Sequence, residues 1–167
     1  METDKIILDP TCSVRSIWFD KHEPHTLYCD QRDVDRTLMW KWSEGDKQQV
    51  RYYEVKPDVV CDFTALPFDD ETFWHVVFDP PHLINLGASS YLIKKYGRLE
   101  KEKWRQTLHD GFAECWRVLK THGTLIFKWN ERDIPVKTVI ETIGHQPLYG
   151  HHSGKQSQTH WLAFMKF

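Results

Sequence analysis

Four short apolar runs in this chain each close on an aspartate: Ile6-Ile7-Leu8-Asp9, Thr26-Leu27-Tyr28-Cys29-Asp30, Val59-Val60-Cys61-Asp62 and Val76-Val77-Phe78-Asp79. Runs of this length, rich in β-branched and aromatic residues and bounded by Pro or Asp, read as buried strands. In an open parallel α/β sheet, ligands bind beyond the carboxyl ends of the strands, so acids at successive strand ends converge on one place. A single Asp after a strand is more readily a turn cap than a ligand group. Four in succession favour a shared, carboxylate-lined pocket.

Strand-like and helix-like segments alternate along the rest of the chain. Predicted strands are Lys5 to Asp9, Thr26 to Asp30, Val59 to Cys61, His75 to Phe78 and Thr124 to Trp129, followed by Gln146 to Tyr149 and His160 to Phe167. The third and fourth are expected to be sheet neighbours. Ser13 to Lys21 is predicted as a short helix with Ser13 as its cap, and Val34 to Trp42 as another before an extended Gln49 to Val55. From Glu100 to Lys120, Trp104, Leu108, Phe112, Cys115, Trp116 and Leu119 recur at spacings of three and four, the mark of an amphipathic helix covering one sheet face. Pro135 to Ile143 reads as a helix with Pro135 in its first turn. Such alternation implies crossover units and a mostly parallel sheet, with an antiparallel edge where the last two strands meet through the polar loop Gly150 to Gln158.

At 167 residues, the chain is long enough for one core, and residues 1–167 are read as a single domain without a separate target-recognition domain. A formal net charge of -2 supplies no overall basic field, so any nucleic-acid contact needs a local patch. No apolar stretch approaches the ~18 residues of a membrane span, and Met1 to Lys5 lacks a signal pattern. The expected location is cytoplasmic, with no membrane contact. Cys12, Cys29, Cys61 and Cys115 stand singly, which argues for reduced thiols over a disulfide framework, and His151-His152 lacks further ligands at metal spacing.

Three segments carry a family resemblance that spans nearly the whole chain: Asp79-Pro80-Pro81-His82; Cys61-Asp62-Phe63-Thr64-Ala65-Leu66-Pro67-Phe68; and Glu114 to Leu125. The chain resembles the small class I S-adenosylmethionine-dependent methyltransferases that act on exocyclic amino groups and carry a D-P-P-Y motif. Leu8-Asp9-Pro10-Thr11-Cys12-Ser13-Val14-Arg15 resembles their first motif, D-P-F-x-G-x-G. Here Thr11 stands for the phenylalanine, and Ser13 and Arg15 stand where glycine normally permits a tight turn. The resemblance implies a Rossmann-like fold with a seven-stranded, mostly parallel sheet and S-adenosyl-L-methionine as cofactor. Asp9, Pro10, Thr11, Cys12, Ser13, Asp30, Asp62 and Phe63 become the candidate cofactor contacts. Asp30 falls where an acid binds the ribose diol, Asp62 where an acid accepts from the adenine amine, and Asp9 near the cationic methionine part.

Asp79, Pro80, Pro81 and His82 are the candidate catalytic residues. An exocyclic amine is a poor nucleophile because its lone pair is delocalised into the ring. A carboxylate and a carbonyl accepting its two hydrogens localise that pair, and the prolines leave the carbonyls without competing N–H groups. His82, in the usual aromatic position, can stack on a base. Lys94, Lys95 and Arg98, with Tyr91 and Tyr96, form a candidate substrate-binding patch, although a solvated helix face fits the same residues. The expected partner is nucleic acid, DNA adenine N6 ahead of RNA, and target choice falls to relaxed specificity, a homo-oligomer or a partner chain. A protein amide or small-molecule acceptor, or a catalytically silent binding subunit, stays open beside it.

Overall fold

The computed structural model describes residues 3–45, 47–85, 87, 90–152 and 158–167. Seven strands form one sheet: β1 (Ile7–Asp9), β2 (Thr26–Asp30), β5 (Val59–Val60), β6 (Phe73–Phe78), β7 (Leu119–Asn130), β8 (Tyr149–His152) and β9 (Thr159–Met165). Their spatial order is β5-β2-β1-β6-β7-β9-β8. β5, β2, β1, β6 and β7 run parallel to one another, and β9 runs antiparallel to both β7 and β8. This is an α/β sheet compatible with a Rossmann-like fold. The chain steps outward from β1 through β2 to β5, then returns to β6 on the other side of β1. The order of strands therefore reverses between β1 and β6, where such sheets open a ligand crevice.

All five residues of β2 are buried, as expected of a strand covered on both faces. Helix α2 (Trp104–Val118) buries Leu108, Phe112 and Cys115 of the predicted stripe, with Val118 beside them; Trp104 and Trp116 are half-buried, and Leu119 opens β7 instead of extending the helix. Leu108, Phe112, Cys115 and Val118 join Phe78, Phe127 and Phe164 in one core. Helix α3 (Val136–Ile143) adds Val139 and Ile143, starts after Pro135, and stops at Gly144, whose left-handed φ of 72° lets its N–H reach the Ile140 carbonyl. All four cysteines are free thiols.

Several expectations need correction. Ser13 to Lys21 forms turns instead of a helix; Ser13 has φ 50°, and its N–H is taken by Asp30. Val34 to Trp42 is not helical either. It belongs to β3 (Val34–Glu44), which pairs antiparallel with β4 (Lys47–Val55) in a separate two-stranded sheet turning at Gly45, φ 55°. The extended reading of Gln49 to Val55 holds. Val59 to Cys61 does not neighbour His75 to Phe78, because β2 and β1 lie between β5 and β6. The penultimate strand starts at Tyr149, so Gln146 to Leu148 of the predicted run precede it. Tyr91–Tyr96 forms a short helix, α1. Residues 153–157 of the predicted polar loop lie outside the described residues. Among the described residues, no helix is long and apolar enough to cross a membrane.

Candidate functional site

Beyond the carboxyl ends of β1, β2 and β6 lies a cavity of about 170 Å3 lined by Asp9, Pro10, Thr11, Cys12, Ser13 and Asp30 on one side, and by Phe63 and Asp79 through His82 on the other. Three of the four strand-end acids thus meet. Asp62 does not line the cavity; it is exposed, and its carboxylate accepts from the Thr64 N–H (2.9 Å) and hydroxyl (2.8 Å) in a local turn.

Each of the three converging acids has a different electrostatic setting. Asp9 is 1% exposed, with its two oxygens accepting from Trp18 Nε1 (2.7 Å) and the Thr11 N–H (3.1 Å). Burial pushes its carboxyl up to about 7, against the pull of those two bonds and with a further push from Asp79 and Asp30. Among the described residues no cation pairs with it. Asp79 is paired: Lys128 Nζ donates to its Oδ2 at 2.6 Å. Asp30 is saturated, accepting from the Ser13 N–H (3.0 Å), the Arg32 N–H (3.0 Å), Arg32 Nε (2.9 Å) and Arg32 Nη2 (3.0 Å). Those four bonds use its lone-pair sites. Arg32 continues to the carbonyls of Lys94 and Lys95, tying the end of β2 to α1.

The loop after β1 keeps glycine-like backbone without glycine. Ser13 and Arg15 both sit in the left-handed region, φ 50° and 52°, a conformation that costs a non-glycine residue about 1 to 2 kcal/mol. Specific contacts hold both in place. Ser13 Oγ donates to the Lys95 carbonyl at 2.6 Å; the Arg15 guanidinium donates to the carbonyls of Lys21 and Lys56 and packs 3.8 Å over the Tyr28 ring. The Thr11 hydroxyl accepts from the Asp79 N–H at 3.1 Å, joining this loop to the one after β6.

In that second loop Pro80 is buried, and among the described residues no donor reaches its carbonyl. Asp133 accepts from the N–H groups of Ile84 (2.9 Å) and Asn85 (3.1 Å), fixing the chain just past His82. Burial holds the His82 imidazole below its ordinary range, so the ring is neutral at neutral pH, packed edge-on to Trp129 at 6.2 Å. Of the predicted substrate patch, Lys94 and Arg98 are exposed and outside the cavity, while Lys95 faces a neighbouring groove. Sequence reasoning missed Lys128, Arg32 and Trp18. Lys128 carried one signal: it is a lone charge in the apolar run from Leu125 to Trp129.

Chemically, the cavity sets an acid that no cation among the described residues pairs with (Asp9) beside an acid and a carbonyl that no described donor reaches (Asp79 and Pro80). It suits a ligand that is cationic at one end and donates hydrogen bonds at the other. No protein-family model matches the chain, and no curated protein matches it.

Proposed function

We propose that this chain is an S-adenosylmethionine-dependent N-methyltransferase whose acceptor is an exocyclic amino nitrogen of a nucleic-acid base, with adenine N6 in DNA leading. The observation that carries the reading is the meeting of Asp9 and Asp79-Pro80 across the crevice where the strand order reverses. The seven-stranded sheet with its antiparallel last pair supports it as the fold that the resemblance implies.

The donor fits the chemistry of the site at Asp9, where a buried carboxyl pushed up to about 7 gains from an adjacent cation. Ser13 and Arg15 keep the backbone course that the missing glycines would give. At Asp30 the fit requires Arg32 to leave, since the ribose diol needs the acceptor sites that Arg32 fills. The cavity of about 170 Å3 is below the ~300 to 1,000 Å3 of ordinary ligand pockets, consistent with Arg32 occupying part of the space. Asp9, Asp30 and Phe63 would hold the donor, which supplies an electrophilic methyl group on a sulfonium sulfur.

The chain's own part is to present the amine. Asp79 Oδ1 and the Pro80 carbonyl accept its two hydrogens, which localises the nitrogen lone pair and aims it into the cavity. Lys128 holds the other oxygen of Asp79, fixing the carboxylate plane. Neutral His82 offers a flat face to the base without repelling a cation beside it. Holding the reacting atoms about 3 to 3.5 Å apart supplies much of the remaining rate.

A second reading, a silent subunit of the same fold, draws on the saturation of Asp30. Calorimetry with S-adenosylmethionine separates the two. Incubation with methyl-labelled donor and a panel of DNA, RNA and protein then tests the acceptor: label in a nucleic-acid amino group is the expected result, and label in protein alone, or none despite donor binding, refutes it.

A further inference from the structure

We propose that the groove between the β3–β4 hairpin, α1 and the loop after β1 binds a single-stranded polynucleotide and leads its bases toward the catalytic cavity. This deepens the nucleic-acid reading above and rests on it. The groove encloses about 1510 Å3 and shares Ser13, Ser16 and Tyr96 with the smaller cavity. Its walls carry the two features that single-strand binding needs, flat aromatic surfaces and unpaired positive charge.

The aromatics are Trp40, Trp42, Tyr52 and Tyr53 on the hairpin and Tyr91 and Tyr96 on α1. Trp42, Tyr52 and Tyr91 are 44%, 48% and 50% exposed, a costly arrangement for rings that contact nothing. Cations are interleaved with them. Arg51 sits directly across the ladder from Trp40, and the Arg36 guanidinium lies 4.6 Å over the Tyr52 ring. Among the described residues, Lys21, Arg36 and Arg51 have no carboxylate within ion-pair distance. Of the two acids that the described residues place in the groove wall, Asp58 is engaged by Arg15 and by the Tyr28 N–H, leaving Glu54. A chain of net charge -2 therefore carries a local positive surplus here, next to its crevice.

Charge alone would suit any polyanion. The aromatic faces select one with exposed planar rings, which a single strand presents and a duplex hides in its stack. A single strand also enters the cavity without the few kcal/mol spent on extruding a paired base.

The test is fluorescence anisotropy, without donor, using labelled oligothymidylate and oligouridylate of about 16 nucleotides, the matching duplex, and polyglutamate. Single strands are expected to bind at least about tenfold tighter than duplex. Trp42→Ala and Tyr52→Ala should each weaken them about five- to tenfold, and Arg51→Ala should flatten the log-log salt slope by about 0.7. All three side chains are exposed on the hairpin, and an unchanged thermal midpoint certifies the fold. A preference between thymidylate and uridylate identifies the polymer and supports the assignment either way. Equal binding of duplex or polyglutamate, or binding unchanged in the folded variants, overturns it. Strand binding with these dependences but no methyl transfer sustains the groove and sinks the methyltransferase reading instead.

Discussion

Replacing Asp9 by Asn isolates the electrostatic stress of the cavity. Burial pushes the Asp9 carboxyl from 3.8 to about 7. Between those values the folded chain holds a proton that the unfolded chain has lost, so stability falls as pH rises through the window. At about 1.4 kcal/mol per decade, the difference amounts to roughly 4 kcal/mol, fully present below the unfolded value and lost above about pH 7. Asn carries no charge and removes this dependence. Its amide cannot accept from both Trp18 and the Thr11 N–H, a constant loss of about 1 kcal/mol. The variant should therefore be less stable than the parent by about 1 kcal/mol near pH 3 and more stable by about 3 kcal/mol near pH 8. Urea unfolding of both proteins across that range measures the difference, and the titrating groups that do not interact with Asp9 cancel. A difference that stays flat across the range refutes the reasoning. S-adenosylmethionine at high pH should stabilise the parent more than the variant, because only the parent offers it an anion.

Arg32→Ala leaves buried Asp30 without its guanidinium and should cost about 3 kcal/mol in denaturant unfolding, while tightening donor binding in calorimetry by vacating Asp30; weaker donor binding would make Arg32 itself a ligand contact. Asp79→Ala should abolish transfer from labelled donor with donor affinity nearly unchanged, and equal activity would remove Asp79 from the chemistry. At Gly111, in α2, an added Cβ would stand 2.4 Å from Phe63 Cδ2 and 3.2 Å from Phe78 Cζ. Gly111→Ala should then be destabilising by about 1 to 2 kcal/mol after the helix-propensity gain, and a stabilised variant would show that the Phe63 ring yields.

The chain's local chemistry determined a good part of the molecule. Thr26–Asp30 could be read to the residue, because the short run Leu27-Tyr28-Cys29, led by β-branched Thr26 and bounded by Pro24 and Asp30, has the length and composition of a buried strand. α2 was legible because burial on one side imposes a helical period, and the place of Asp79 to His82 at the cavity because the loop directly follows a strand end. The β3–β4 hairpin was legible only in its second half, where Gln49 to Val55 reads as extended. It is exposed along most of its length, so no buried face stamped an alternation on Val34 to Trp42, and only pairing across Gly45 fixed its conformation.

The pairings that tune the site were decided by tertiary structure. Phe78 opposes Phe127 in the β6–β7 ladder, so the next residues in the two strands, Asp79 and Lys128, come to lie side by side though 49 positions apart. Left-handed backbone at Ser13 and Arg15 has the same origin, since contacts to Asp30, Lys95, Lys21 and Lys56 hold a conformation their side chains disfavour. Side-chain type and spacing fix which groups a strand end can offer. Register and loop closure, which sum contacts distant in the chain, fix which of those groups meet and what charge each one faces.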